Sequence, residues 1–218
     1  MKNKLELFYR ITFIIICGIG IFIHFDLNDR DYNAHEFSFF TLWSNIFCLV
    51  FMCVLLIKHF RGKDTLAKSL IYFKGMATSC IICTFLVYHF SEYKIVMTNN
   101  SIWIFGLPIE SILAHYVVPF MFVLDWILFQ PKGLFRWKYA VTWLLFPLVI
   151  SFFIRCKCNS QAEFVNVPKY PYFFLNYEKI GTEKCMVYIF MLVVIFFGIN
   201  LMIIFIDNFW ERIKKNML

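Results

Sequence analysis

The sequence has few charged residues for its length. Lys, Arg, Asp and Glu account for 16% of the 218 residues, whereas a soluble domain has about a quarter. Hydrophobic residues account for 61%, and phenylalanine alone occurs 29 times. This composition excludes a soluble enzyme, a disordered tail and a secreted disulfide scaffold, and it is typical of a chain that folds in lipid.

The short motifs of several common enzyme classes are also missing from the sequence. The chain has no phosphate-binding loop, no dinucleotide fingerprint and no Gly-x-Ser-x-Gly elbow. Its five histidines lack the spacing of a helical di-metal site, and the pair Cys80 and Cys83 has no second Cys or His pair near it in the sequence. We therefore expect neither a metal nor a cofactor, and we interpret Cys80 and Cys83 as small packing residues.

Long apolar runs predict an all-α, polytopic integral membrane protein with six transmembrane helices in a single domain, residues 1–218. The predicted spans, numbered one to six along the chain, cover residues 8–25, 39–57, 70–90, 111–129, 138–155 and 185–207. Basic residues precede span one as in a signal peptide, but no small-residue cleavage site follows, so we expect a membrane helix there too. The predicted localisation is the cell membrane, as a multi-pass protein.

The basic residues predict the orientation of the bundle. Loops and ends on the side of the N-terminus carry fourteen Lys and Arg, against seven on the opposite side. Because Lys and Arg collect in cytoplasmic loops, we expect both termini to be cytoplasmic. The net charge of +7 is explained by these Lys and Arg residues of the cytoplasmic loops. We therefore do not attribute it to nucleic-acid binding, and we expect no nucleic-acid partner. The loop after span one agrees, since it carries one arginine against four acidic residues, Asp26, Asp29, Asp31 and Glu36.

Three of the eight cysteines flank the loop between spans five and six: Cys156, Cys158 and Cys185. A disulfide could form among them only if that loop faces an oxidising compartment, and the sequence leaves this open. The other five lie within apolar runs, where cysteine acts as a small hydrophobic residue.

Polar residues from several spans meet in the outer third of this topology. Span two runs inward from the outer face, which places Thr41 and Asn45 in its first turns. Span four also begins at the outer face and carries His115, while span three ends there with Tyr88. The loop before span six lies on the same side and carries two further tyrosines, Tyr170 and Tyr172. Polar groups are costly in a bilayer, and they commonly mark a functional site.

Structural roles explain some of the same residues. A membrane threonine such as Thr41 commonly bonds the carbonyl one turn back. Asn45, one turn below on the same face, can join two helices by hydrogen bonds or orient Thr41. His115 differs, because Pro119 has no N–H for the carbonyl of residue 115. We expect a kink there, with the exposed backbone facing protein or a wet cavity.

Asp125 lies ten residues, or about 15 Å, further along span four than His115. This distance is too large for a direct contact between the two side chains. We expect Asp125 to pair with a cation near the cytoplasmic end of the bundle, for which Arg10 and Arg136 are the candidates.

Four segments of the chain form a pattern that covers nearly its whole length. They read Phe39-Phe40-Thr41-Leu42-Trp43-Ser44-Asn45, Leu113-Ala114-His115-Tyr116-Val117-Val118-Pro119 with Leu124-Asp125-Trp126 after it, Gln130-Pro131-Lys132-Gly133, and Tyr170-Pro171-Tyr172-Phe173. The pattern resembles a bacterial family of six-helix membrane proteins, the Pr-six-Pr family. That family is similar in turn to the eukaryotic androgen-induced membrane proteins, which are threonine hydrolases that cleave fatty acid esters of hydroxy fatty acids.

The resemblance implies roles for two residues. Thr41 corresponds to the nucleophilic threonine on the second span, and His115 corresponds to the base on the fourth. The stretch 170–173 matches a Tyr-Pro-Phe stretch before the last helix of the family. The topology independently places Thr41 and His115 at the same depth, although they are 74 residues apart.

Two functions follow as hypotheses. The first is an intramembrane threonine hydrolase that cleaves lipid esters through a Thr41–His115 dyad without a cofactor. Four other residues would orient the dyad or contact the substrate: Asn45, Tyr88, Tyr170 and Tyr172. The partners would be a lipid or fatty-acid ester and the membrane lipids. The second is a non-catalytic carrier or receptor that binds a small amphiphilic ligand in the same pocket.

Overall fold

The computed structural model describes residues 2–25, 36–62, 67–92, 103–104, 107–160 and 170–217. Its α-helices are Lys2–Ile23, Phe40–Phe60, Lys68–Val87, Ile109–Ile112, Val118–Phe129, Tyr139–Thr142, Leu145–Ser160, Tyr177–Ile180 and Thr182–Met217. Two π-helical segments, Tyr88–Glu92 and Leu113–Val117, and a 3₁₀ turn, Phe173–Leu175, continue or join them. The strands Trp103–Ile104 and Leu107–Pro108 form a small antiparallel ladder. The described chain is thus all-helical apart from this ladder, as predicted.

Within the described residues, six helical segments are long and apolar enough to cross a membrane, which agrees with the predicted number. We keep the names span one to span six for them. Their bounds are Lys4–Ile23, Phe40–Phe60, Lys68–Phe90, Ile109–Phe129, Tyr139–Cys156 and Thr182–Met217.

The ends of the predicted spans differ from the structure where polar residues continue a helix. The prediction ends span six at residue 207, but the helix runs on to Met217 through a basic segment. A charged helical turn forms as readily as an apolar one, so the length of an apolar run marks only the part suited to lipid. Span five is interrupted before Pro147, which has no N–H for the carbonyl of Trp143.

The spans pack into one bundle. Span two lies against spans one and three, span four lies against spans one and three, and span six lies against spans three and five. Gly75 lets spans three and five approach closely, because a Cβ atom at this position would lie 2.1 Å from the indole ring of Trp143. Asn200 of span six accepts a hydrogen bond from Ser79 and donates one of 2.8 Å to the carbonyl of Ala140, which ties spans three, five and six together.

The outward faces of the bundle are apolar. Span one exposes Phe8, Ile15 and Phe22, and span six exposes a comparable row of large hydrophobic side chains. Such faces suit contact with hydrocarbon, since monomeric soluble proteins rarely expose large contiguous apolar patches.

The cysteines occupy different environments. Cys80 and Cys83 are buried in the hydrophobic core. Cys156 and Cys185 are free thiols, the first exposed and the second buried. The side chain of Cys158 lies outside the described part of the chain, as do the acidic residues Asp26, Asp29 and Asp31 of the loop after span one.

Candidate active site

Spans two and four bring Thr41 and His115 together. The hydroxyl oxygen of Thr41 lies 3.2 Å from Nε2 of His115. Both side chains are buried, with Thr41 7% and His115 5% exposed. The hydroxyl of Thr41 bonds this imidazole, and the carbonyl of Phe37, one turn back, accepts from Nε1 of Trp43 at 2.9 Å. The hydroxyl is therefore directed at the imidazole of a different span.

The other nitrogen of His115 fixes the direction of this hydrogen bond. Nδ1 lies 3.0 Å from the carbonyl oxygen of Ser111, one turn back on span four. A carbonyl can only accept, so Nδ1 carries the proton, and in the neutral imidazole Nε2 is then an acceptor. The Thr41 hydroxyl consequently donates to Nε2. A hydroxyl that donates to an oriented imidazole is the arrangement of a nucleophile and its general base.

His115 lies within a π-helical turn of span four. This turn, Leu113–Val117, ends where the N–H of Val118 bonds the carbonyl of Leu113, five residues back. At the predicted kink before Pro119 the helix therefore has a π turn. In a π turn each N–H bonds the carbonyl five residues back instead of four. In this register Pro119 also leaves the carbonyl of Ala114, five residues back, without an N–H.

Asn45 bonds that carbonyl. Its Nδ2 donates to the carbonyl of Ala114 at 3.2 Å and to the carbonyl of Thr41 at 2.8 Å. One amide therefore joins the segment that carries the hydroxyl to the segment that carries the imidazole. Because an amide nitrogen has two hydrogens and both are donated here, Asn45 orients the dyad and has no hydrogen left for an oxyanion.

Tyr88 covers the imidazole. Its ring stacks on that of His115 with the centroids 3.7 Å apart and the planes inclined by 16°. Tyr88 begins the π-helical segment at the end of span three and is only 2% exposed. The stacked ring holds the plane of the imidazole and separates it from its surroundings on that side.

The two loop tyrosines have different positions. The hydroxyl of Tyr172 accepts a hydrogen bond of 2.9 Å from the backbone N–H of Phe40, the first residue of span two. Tyr172 thereby anchors the helix end that carries Thr41. The hydroxyl of Tyr170 donates to Glu178 at 3.0 Å. Its ring lines the adjacent cavity.

A cavity of about 220 Å³ opens beside Thr41. Its lining is mostly apolar and comes from spans two, three, five and six and from the loop before span six. Thr41 and Tyr88 are among the lining residues, whereas His115 is not. The dyad therefore presents its hydroxyl to the cavity, with the imidazole behind it. An apolar cavity with a few polar groups is the usual form of a small-molecule site.

The sequence interpretation missed the walls that spans five and six contribute. On span five the lining residues Leu144, Leu148, Ser151 and Arg155 recur every three or four positions, as one face of a helix does. Ser151 and Arg155 interrupt an otherwise apolar helix, and this pair of polar positions on one face is the signal that could have revealed the wall.

A second polar cluster lies nearer the N-terminal side of the bundle. Asp125 pairs with Lys74, whose Nζ lies 2.8 Å from Oδ2, and with Arg10, whose Nε lies 3.1 Å from Oδ1. Of the two expected partners, Arg10 is the one in contact. Lys74, which the orientation count treats as a cation near a loop, is 1% exposed within span three. Its position a full turn inside an apolar helix was the available signal.

The described residues contain no group of three or more His, Cys, Asp or Glu side chains placed to hold a metal ion. Comparisons of the chain with protein-family models, with curated proteins and with solved structures find no match. The geometry of the dyad and its cavity, together with the sequence pattern, is therefore the basis for a functional proposal.

Proposed function

We propose that the chain is a multi-pass protein of the cell membrane with both termini in the cytoplasm. Six spans of sufficient length, apolar outward faces and the twofold excess of Lys and Arg on one side support this. In this orientation the Thr41–His115 dyad and the cavity lie near the outer face, and the Lys74–Asp125 pair lies toward the cytoplasm.

We propose further that the protein is an intramembrane threonine hydrolase that cleaves lipid esters, with esters of the fatty acid–hydroxy fatty acid type as its substrate class. The observation that carries the proposal is the Thr41 hydroxyl, which donates to the neutral imidazole of His115 beside an apolar cavity. The resemblance to membrane threonine hydrolases assigns the same two residues.

The first half of the reaction forms an acyl-enzyme. His115 Nε2 takes the hydroxyl proton as Oγ1 of Thr41 attacks the ester carbonyl carbon. The tetrahedral intermediate collapses, the bond to the alcohol oxygen breaks, and the imidazolium returns the proton to that oxygen. The alcohol leaves, and the acyl chain remains bound to Thr41 as an ester.

The second half releases the acid. A water molecule takes the place of the alcohol and gives a proton to Nε2 of His115 as its oxygen attacks the acyl carbon. Collapse of this intermediate breaks the bond to Oγ1, which recovers the proton from His115. The products are the carboxylic acid and the free Thr41 hydroxyl, so the cycle consumes one water and needs no cofactor.

The start of span two supplies the electrostatic part of this mechanism. Thr41 is the second residue of the helix, and N–H groups of a first helical turn have no acceptor within the helix. Together with the helix dipole they favour negative charge at this end. The N–H of Phe40 is bonded to Tyr172, so the N–H groups of Thr41 and Leu42 are our candidates for stabilising the oxyanion.

The test is covalent labelling and turnover of the purified protein in detergent. We expect wild-type protein to react with a fluorophosphonate probe and to hydrolyse long-chain esters. Thr41→Val and His115→Gln should each lower turnover by a factor of about 10³ or more. Both variants should keep the melting temperature within a few degrees of wild type.

Matched controls are available elsewhere in the chain. Thr12 bonds the carbonyl one turn back at 3.0 Å, so Thr12→Val removes a membrane threonine that has only a structural bond. His89→Gln removes a histidine at the same end of the bundle that is exposed. Both controls should retain labelling and turnover. Wild-type rates in folded Thr41→Val or His115→Gln protein would refute the mechanism.

A second candidate function is a non-catalytic carrier or receptor for an amphiphile. The hydrogen bonds of Asn45 favour this function. Asn45 donates both amide hydrogens to backbone carbonyls, so this side chain cannot stabilise the oxyanion that ester hydrolysis would form. Saturable binding of a lipid ester with neither labelling nor turnover would support this function over hydrolysis.

A further inference from the structure

We propose that Arg155 determines substrate specificity by binding an anionic group of the lipid, a carboxylate or a phosphate, where the wall that span five contributes to the cavity ends. This inference rests on the proposed function, because it concerns the substrate of the same site. Arg155 is the one charged side chain among the described residues that line the cavity.

The cavity is long rather than round. On span five the lining residues extend from Leu144 to Arg155, and on span six they extend from Cys185 to Phe196. Each stretch covers eleven residue steps along a helix, or about 16 Å. A cavity of this form fits an extended acyl chain lying between the two helices.

Arg155 and Thr41 lie at different levels of this cavity. Phe40, next to Thr41, packs its ring on Phe146 of span five and on Phe196 of span six, with centroid distances of 6.3 and 5.8 Å. Trp43, two residues after Thr41, packs its ring on Phe153 of span five with the centroids 5.7 Å apart. Thr41 therefore lies opposite the stretch of span five between Phe146 and Phe153, and Arg155 lies just beyond that stretch. One ligand in the cavity can contact the hydroxyl and the guanidinium with different parts of its chain.

The guanidinium is available to a ligand. No carboxylate of the described residues forms an ion pair with Arg155, and its side chain is exposed. Its guanidinium lies over the ring of Tyr177, 5.5 Å from the centroid. A cation–π contact holds a guanidinium in place without neutralising its charge. Glu178, which follows Tyr177 in the sequence, accepts a hydrogen bond from the hydroxyl of Tyr170.

Arginine at this position suits an anionic oxygen group in particular. Its planar fork binds a carboxylate or phosphate through two parallel hydrogen bonds, and charge-assisted bonds of this kind are about twice as strong as neutral ones. An ester with a second, anionic end would then be bound at one end by Arg155 and presented to Thr41 further along its chain.

The test compares two esters that differ only in charge. One carries a free terminal carboxylate, and the other carries the same carboxylate as its methyl ester. In Arg155→Met the KM for the free acid should rise about tenfold or more, with kcat nearly unchanged. The kinetics of the methyl ester should not change. Lys179→Met is the control: it removes a cation of the loop before span six, and Lys179 does not line the cavity. This variant should leave the kinetics of both substrates unchanged.

A third substrate, a single-chain phospholipid with a phosphate monoester, distinguishes the source of the anion. If Arg155→Met impairs only this substrate, the anionic group is a lipid headgroup phosphate; if it impairs the carboxylate ester, the group is a fatty carboxylate. Equal kinetics of Arg155→Met and wild type on all three substrates would overturn the proposal.

Binding without chemistry separates this inference from the hydrolase proposal. A fatty acid and the fatty alcohol of the same length are titrated into Thr41→Val protein, which holds the cavity but no nucleophile. The acid should bind at least about tenfold more tightly than the alcohol, and Arg155→Met should abolish the difference. If wild-type protein hydrolyses nothing but this difference is found, the hydrolase proposal fails and the anion site stands. Equal binding of acid and alcohol would refute the site itself.

Discussion

Two of the buried polar clusters in the described part of the chain differ in charge and in access. The dyad cluster of Thr41, Asn45 and His115 is built from hydrogen bonds and borders a cavity. The other cluster, Lys74 with Asp125 and Arg10, is ionic. Neither Lys74 nor Asp125 lines the cavity beside Thr41.

The difference indicates separate roles. In the ionic cluster every charge has an internal partner: Asp125 contacts two cations, Arg10 also pairs with Glu6 at 2.7 Å, and Nζ of Lys74 lies 3.6 Å from the ring centroid of Phe122. Such a network can hold spans one, three and four in register. The dyad cluster combines a donor, an acceptor and an adjacent cavity, which are the elements that chemistry on a bound molecule requires.

The largest effect on stability should follow from breaking the ionic cluster. Asp125→Ala leaves the buried Lys74 without its carboxylate, although Arg10 keeps Glu6. An uncompensated buried charge costs about 3–5 kcal/mol. We expect most of this variant to be lost on purification, and the remainder to unfold at a clearly lower temperature in detergent. Thr41→Val, by contrast, should change the melting temperature little.

A double variant distinguishes charge from packing in this cluster. Replacing both partners, as in Lys74→Met with Asp125→Leu, removes the uncompensated charge and should recover much of the stability lost in Asp125→Ala. Equal destabilisation of the double and single variants would mean that the volume of these side chains matters more than their pairing.

Gly75 should show that the region around the ionic cluster is tightly packed. A Cβ atom there would lie 2.1 Å from Trp143, so Gly75→Ala must move a rigid indole in the core. We expect a loss of about 1–3 kcal/mol in the free energy of unfolding. Gly18 is the matched control, because a Cβ atom there meets nothing within 4 Å and Gly18→Ala should be neutral or slightly stabilising. Similar melting temperatures for both variants would contradict this.

Asn45 should affect both stability and catalysis, because it lies between the two segments of the dyad. Asn45→Ala leaves the carbonyl of Ala114 without its side-chain donor, at a cost of about 1–3 kcal/mol, whereas the carbonyl of Thr41 keeps the hydrogen bond from Ser44. Loss of the link between spans two and four should also lower kcat while KM for the ester stays nearly constant. A variant with reduced stability but an unchanged kcat would show that Asn45 only joins the helices.

The sequence predicted the depth of the dyad but not its details, and the reason is physical. Apolar runs match the bilayer thickness, and residue counts along rigid helices convert to distance, so Thr41 and His115 could be placed at one level. The π turn around His115 could not be predicted, since the carbonyl it leaves open is bonded by Asn45 of another span.

The partners of the two missed cations could not be predicted either. Lys74 contacts Asp125 across 51 residues, and no local pattern encodes such a pair. Arg155 lies on a helix whose other faces are largely apolar, so Ser151 and Arg155 mark one face of span five, but the sequence does not tell what that face borders.

The smallest effect should come from a pair at the outer boundary of the bundle, His24 and Glu36, whose Nε2 and Oε2 atoms are 2.9 Å apart. Burial lowers the pKa of His24, but the hydrogen bond and charge of Glu36, with the charge of Glu110, raise it by more, so the net direction is upward. The pair therefore contributes its full stability below the ordinary histidine pKa of about 6.5 and loses it as the pH rises through the raised value. We expect the free energy of unfolding to fall by less than about 1 kcal/mol over that range. The melting temperature in detergent should therefore fall only slightly. Glu36→Gln should flatten this part of the pH profile while His89→Gln leaves it unchanged, and an equal slope in wild type and Glu36→Gln would assign the titration to another group.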